Sequence, residues 1–347
     1  MSATAIGVVG AGARTALGRS LPASAAAVRA GIGRAVPHPY LVDRRRGSLV
    51  AAMAEWLPQR FAGAARFVAL AKNAAKEALA GLERAGDAAA SIDVLVGLPH
   101  ARPGRPDDLD DAIARALRGP RVARVTTFAE GHAAALNAIE QACAKIRRGE
   151  AEVCLAGGVD SYLEPETMDF LEDTARLKNP DRPWGFVPGE AAAFCVLASP
   201  RWLEAHGVVA PLSVLGAASA HEPAPLHGDA VCTGSGLTAA FDGALAPLAD
   251  RRARVTRLVG DLNGEPYRVD ELGFALARIG DALARPGAVL APAACWGDVG
   301  AASGALFAGL AFQAALRAET AATTLAWASS ENGRRAAALF VEHGARC

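Results

Sequence analysis

The sequence has no excess of charge of either sign, since Lys+Arg and Asp+Glu each total 36. That balance leaves no long-range field to draw the chain to nucleic acid or to an anionic membrane surface. It also lacks any C-x-x-C pair. The six cysteines, Cys143, Cys154, Cys195, Cys232, Cys295 and Cys347, are scattered, which excludes a zinc-ligand spacing or a redox pair and suits a reducing cytoplasm. No basic start and no long apolar region precede the first strand-like run, so MSATAIGVVGAG carries no export signal. The uncharged stretch Val299 to Leu316 has the length of a membrane span, but Gly300, Ser303, Gly304, Gly309 and Gln313 interrupt it. A helix buried in protein on all sides is expected there, not a span.

What the chain does have is hydrophobic content, 52% of 347 residues, ample for a buried core in one large domain or two ordinary ones. IGVVGAG reads as a buried strand stopped by glycines, Leu21 to Ala30 and Phe61 to Ala85 as helices, and SIDVLVGLP from Ser91 as the next strand. His38 to Gly47 between them is expected as a surface loop. The β-branched run Val122 to Phe128 leads through Ala129-Glu130-Gly131-His132 into a long helix, Ala133 to Arg148, stopped by Gly149 and followed by the strand AEVCLAGG. This strand, elbow, helix, strand grammar recurs: VLAPAACWGD (Val289 to Asp298) is a strand-like run ending in an elbow, a small-residue helix follows, then TTLAWAS and RRAAALFVE. The last run mirrors GEAAAFCVLAS (Gly189 to Ser199), so the two parts of the chain look like copies of one βαβ-rich unit.

Several isolated motifs point nowhere. GAGARTALG has Thr15 where a dinucleotide fingerprint needs its third glycine. Gly234-Ser235-Gly236 lacks the flanks of a serine nucleophile elbow. His221, Glu222 and His227 lie in a proline-rich loop with no helix to fix ligand spacing, and Arg44 to Arg46 is a short solvated basic run.

Three longer motifs carry a resemblance. IRRGEAEVCLAGGVDS (Ile146 to Ser161), RPWGFVPGEAAAFCVLAS from Arg182, and the elbow from Gly297 to Gly304 together resemble the β-ketoacyl synthases of the thiolase superfamily, over nearly the whole chain. The resemblance implies a five-layer α-β-α-β-α fold built from two duplicated halves, here residues 1–205 and 206–347. It implies pairing with a second thiolase-like protein, as a homodimer or a heterodimer through Val122 to Phe128, and no metal or cofactor.

Synthase chemistry needs a thiolate on a strained elbow at a helix start, where dipole and backbone amides favour negative charge. Two histidines then assist decarboxylation. By the resemblance, the cysteine position is His132, the two histidine positions are Asn263 and Asp298, the lysine position is Ala293, and the C-terminal gate is Ser329-Ser330-Glu331-Asn332-Gly333. All the expected functional residues differ. Cys143, Cys154, Cys195 and Cys295 fall inside helices or strands or ahead of the elbow, and only Cys232 in its loop is placed to be reactive.

A non-catalytic partner or scaffold is therefore expected, of the kind a chain-length factor provides to a synthase, with acyl carrier protein among its contacts. ARTALGRSLPASAAAVRAGI and HPYLVD also resemble thiolase-like proteins found with type VI secretion effectors and adaptors, which would make the chain a bacterial accessory binding one of those. The alternative is an acyltransferase or thioesterase in which Asp298 orients His132 as base. Pocket plugging by Phe186 or Trp327 would favour the scaffold.

Overall fold

The computed structural model describes residues 5–343 apart from 45, 59, 88–89, 226–229, 249–253 and 318–321; His227 and Cys347 lie outside the described residues. In chain order the first part comprises β1 (Ile6–Thr15), α1 (Leu21–Arg29), β2 (Val36–Val42), β3 (Ser48–Ala51), α2 (Ala64–Arg84), β4 (Ile92–Leu98), α3 (Leu109–Ala116), β5 (Val122–Ala129), α4 (Ala134–Arg147), β6 (Val153–Ser161), α5 (Pro165–Asp173), β7 (Glu190–Ala198) and α6 (Pro200–Ala205). The second comprises β8 (Leu212–His221), α7 (Ser235–Leu245), β9 (Arg257–Gly260), α8 (Pro266–Ile279), β10 (Val289–Leu290), α9 (Ala293–Trp296), α10 (Ser303–Ala315), β11 (Thr323–Ser329) and β12 (Arg334–Glu342).

Ten strands line up as β10-β9-β11-β12-β8-β1-β7-β6-β4-β5. The pairing of β8 with β1 covers three residues, Ile6–Val8 against Leu212–Val214, so the array is two five-stranded sheets touching at a corner. In each sheet the strands, numbered within their own copy, run third, second, fourth, fifth, first. The second strand pairs in parallel with the third and fourth, and the other pairings are antiparallel. Two sheets of identical order and sense in one chain are the duplication that the repeated sequence grammar suggested.

The layers follow from where apolar side chains point. In β6, Cys154 and Ala156 face one core while Val153 and Leu155 face another, the period-2 alternation of a strand covered on both sides. The inner core is filled by α4 and α10, each packed on strands of both sheets. The outer face of the first sheet carries α2 and α3, and that of the second carries α7 and α8. Small residues set the central spacing: a Cβ on Gly304 would lie 2.5 Å from Leu136 Cγ. Along α10 only Leu310 and Ala314 are half-buried and the rest is buried, as expected for that uncharged stretch. No helix among the described residues is long and apolar enough to cross a membrane.

Three expectations need correction. β1 does not stop at its glycines but continues to Thr15. Gly10 and Gly12 are there because α2 crosses so closely that added Cβ atoms would lie 2.2 Å from the Ala78 carbonyl oxygen and 2.4 Å from that of Ala74. His38 to Gly47 is not all loop, because β2 pairs with β3 in a small hairpin and His38 is buried, its Nδ1 accepting from the Leu41 amide at 2.9 Å. Finally, only Val289–Leu290 of the run to Asp298 is strand; from Pro292 the chain makes the helical turn α9.

Candidate functional site

The two elbows bring the site together. At the end of β5, Gly131 takes φ 75° and a three-residue 3₁₀ turn, Gly131–Ala133, opens α4. At the equivalent place in the second copy, Gly297 takes φ 76° and the turn Gly300–Ala302 opens α10. A left-handed glycine followed by a tight turn aims the next side chain inward at the interface of the two sheets.

His132 and Asp298 meet there, with His132 Nε2 2.9 Å from Asp298 Oδ1 and 3.0 Å from Oδ2. Asn263, half-buried on the β9–α8 connection, donates through Nδ2 to Asp298 Oδ2 at 2.7 Å and to Glu265 Oε2 at 2.9 Å. His132 and Asn263, expected at two of the synthase positions, thus converge on the carboxylate of the third, Asp298. Asp298 also accepts from the Gly300 amide at 2.8 Å. Burial alone would raise its carboxyl, but the His132 ring, the Arg268 charge and the Gly300 N–H together hold it well below the usual carboxylate range.

Arg268 occupies the space beside the histidine. Its Nη2 lies 3.2 Å from His132 Nε2, while Nη1 donates to Asp261 Oδ2 at 2.6 Å and to the Ser329 carbonyl at 2.9 Å. Burial works against its charge, and the neighbouring Tyr267, Asp261, Asp298 and Glu265 overcome that. His132 Nε2 has one in-plane position, so it can donate to Asp298 or accept from Arg268 but not both. His132 is 1% exposed, Arg268 2% and Asp298 3%, so the group is sealed from solvent. The Ala133 amide, at the helix start where an oxyanion would be received, donates instead to Ser330 Oγ at 2.8 Å.

Buried ion pairs surround this group. Arg176 grips Glu265 with two bonds of 2.7 and 2.9 Å and Glu331 with one of 2.6 Å. Arg102 holds Asp160 at 2.6 Å, and Asp160 accepts from the Ala301 amide at 2.8 Å. For Glu331, burial would raise the carboxyl, but Arg176, His132 and His100 bring it down to about 2. Arg102, Asp160 and Arg176 were not singled out from sequence; the only signal was that charged residues interrupt otherwise apolar or motif-bearing stretches. Glu130 does not join the site: it turns to Asn137 at 2.7 Å and Arg334 at 3.1 Å.

Among the described residues, no cysteine sits on either elbow. Cys143, Cys154 and Cys195 are buried in α4, β6 and β7, and burial first of all pushes each thiol up to about 12. Cys232 is half-buried against Glu271, its thiol raised by burial, then by Glu271 and Glu222 against the Gly234 amide. Of the histidine trio, His227 lies outside the described residues. His221 is exposed, while Glu222 turns inward to the Gly236 amide at 2.7 Å and comes near Cys232 and Glu271. Glu271 is already bound to Arg335 at 2.6 Å, so these contacts are accounted for without an ion. Phe186 and Trp327 are buried, Phe186 tilted against Tyr162 at 5.6 Å and Trp327 edge-on to Phe241 at 5.7 Å between ring centres.

Comparison with known proteins agrees with this geometry. Residues 112–201, which include the first elbow, match the family profile of the β-ketoacyl synthase N-terminal domain. The actinorhodin polyketide β-ketoacyl synthase 2 of Streptomyces coelicolor is 36% identical over 129 residues, 34% of this chain. The matched stretch spans 30% of that protein and as little as 4% of other curated relatives. Among solved structures, a β-ketoacyl synthase from Burkholderia phymatum superposes with TM-score 0.79 at 18% identity, covering 98% of this chain and 100% of that one. The ishigamide ketosynthase/chain length factor superposes with TM-score 0.72 at 21% identity, covering 98% and 100%. The chain therefore has the thiolase-like fold of the ketosynthases, and residues 112–201 carry the sequence pattern of their N-terminal domain.

Proposed function

We propose that this chain is a ketosynthase-like protein that does not carry out condensation itself, and that it serves as a partner subunit or scaffold. The observation that carries this reading is the Arg268 guanidinium 3.2 Å from His132 Nε2, inside a sealed group whose acidic partners are all bound. A condensing site needs a nucleophile facing an acyl group and free amides to receive an oxyanion. Here His132, Asn263 and Asp298 bond to one another, and the Ala133 amide is taken by Ser330. Loss of the cysteine and both histidines together supports a pseudoenzyme, with residues 1–205 and 206–347 as its two copies.

Pairing would run through β5, the edge strand of the first sheet, which is bonded on one side only, to β4. The partner would be a second copy or another thiolase-like chain, as in a ketosynthase paired with a chain length factor, with acyl carrier protein as a further contact. The narrower reading, a bacterial cytoplasmic accessory to type VI secretion that binds an effector or adaptor, rests on the N-terminal motifs alone. One observation favours a different class: the 2.9 Å His132–Asp298 pair has the spacing of a histidine oriented by a carboxylate, as an acyltransferase or thioesterase would use.

Thiol release from a panel of acyl-CoA and acyl-carrier-protein thioesters, by the wild-type chain and by His132→Ala, separates the two. Release equal to buffer in both is expected. Saturable release that disappears in His132→Ala would replace the scaffold reading with a cysteine-independent enzyme.

A further inference from the structure

Far from the elbows, a cavity of about 480 Å³ opens between the C-terminal parts of α1 and α10 and the edge formed by β9 and β10. It runs along α10 from Phe307 toward the C-terminal end, beyond the first turn that follows the Asp298 elbow. Its floor is apolar, built from Val28, Leu258, Phe307, Leu310 and Ala311. Leu310 and Ala314, the only half-buried residues of α10, both line it.

The rim is cationic. Arg29, Arg257, Arg285 and Arg317 line the cavity, and among the described residues no carboxylate does. Arg257 is paired with Glu342. Among the described residues the side chains of Arg29, Arg285 and Arg317 have no hydrogen-bonded or ion-paired partner, in contrast to the matched arginines of the central site. Arg29 and Arg317 also stand close enough to oppose each other's charge: Arg317 is lowered by partial burial and then by Arg29. Arg29 suits the last turn of α1, where the helix dipole favours a cation, but that does not account for a second and third guanidinium around the same apolar hollow.

From the apolar trough and its unpaired arginine rim we infer that this cavity binds an anionic amphiphile with a single alkyl chain. The chain lies along α10, and the head is held by Arg29 and Arg317 with Arg285 beside them. The volume lies within the 300–1,000 Å³ of small-molecule pockets, and a concave hollow of that size suits a flexible chain better than a helix or a protein face. Guanidinium forks bind carboxylate and phosphate heads alike. This inference is independent of whether the elbow site turns over.

Isothermal calorimetry with decanoate, decyl phosphate and decanol, below their aggregation concentrations, tests it. Saturable one-to-one binding of decanoate or decyl phosphate, at least about tenfold tighter than decanol, is expected from charge-assisted head contacts. Whichever anion binds tighter identifies the head as carboxylate or phosphate. Arg317→Gln and Arg29→Gln, both at exposed and unpaired positions, should fold normally and each weaken the anion about tenfold while leaving decanol unchanged. Ala314→Trp should abolish binding of all three by filling the trough. Equal affinity for decanol and the anions, anion binding unchanged in the Arg29→Gln/Arg317→Gln double variant, or no saturable binding would each overturn the inference.

Discussion

Replacing Arg268 by methionine keeps an unbranched side chain of similar reach and removes its charge and its donors. In the native protein that guanidinium is 2% exposed, holds Asp261 at 2.6 Å, donates to the Ser329 carbonyl at 2.9 Å and sits 3.2 Å from His132. Asp261 would keep only the Ser329 amide at 2.7 Å, and Asp298 would lose a neighbouring cation. Removing one partner of a buried pair leaves an uncompensated charge, which costs about 3–5 kcal/mol. Urea unfolding at pH 7, followed by two probes to check that the transition is a single one, should show a loss of that size in Arg268→Met. Arg268→Met/Asp261→Asn should recover at least about 1 kcal/mol relative to the sum of the single changes, because the two side chains share one interaction. A variant as stable as wild type at pH 7, or strict additivity in that cycle, would show that the pair is not what holds this group in place.

The acid limb of stability should carry the mark of Glu331. Its folded value is about 2 against an ordinary 4.5, so its contribution is fully present above pH 4.5 and is lost as pH falls to 2. A shift of that size is worth about 3 kcal/mol, and the stability gap between wild type and Glu331→Gln should close over that window. A gap that does not vary with pH would contradict this. Two glycines should answer oppositely to alanine: Gly10→Ala places a methyl 2.2 Å from the Ala78 carbonyl oxygen and should cost about 1–3 kcal/mol by forcing β1 from α2. Gly273→Ala, inside α8 with nothing within 4 Å, should gain up to about 1 kcal/mol. Thermal unfolding of the two variants checks both signs.

Much was legible in the chain before any coordinates, and for local reasons. Alternation and β-branching marked β5, β6, β7, β11 and β12, and a glycine followed by a small-residue helix marked both elbows, because these patterns are fixed by neighbours a few residues apart. The repeat of that grammar exposed the duplication, while His132 was singled out through the resemblance to the synthases. Only the tertiary structure decided what surrounds His132. Arg176, Arg102 and Asp160 lie 28 to 44 residues away from it along the chain, and no local period links them. The glycines of β1 were misread for the same reason: a turn and a close helix crossing both require a missing Cβ, and sequence records the absence without saying what fills the space. The arginine rim of the trough was invisible too, since Arg29, Arg257, Arg285 and Arg317 become neighbours only when α1, β9 and α10 pack, and charge counted along a chain is silent about charge gathered at one place.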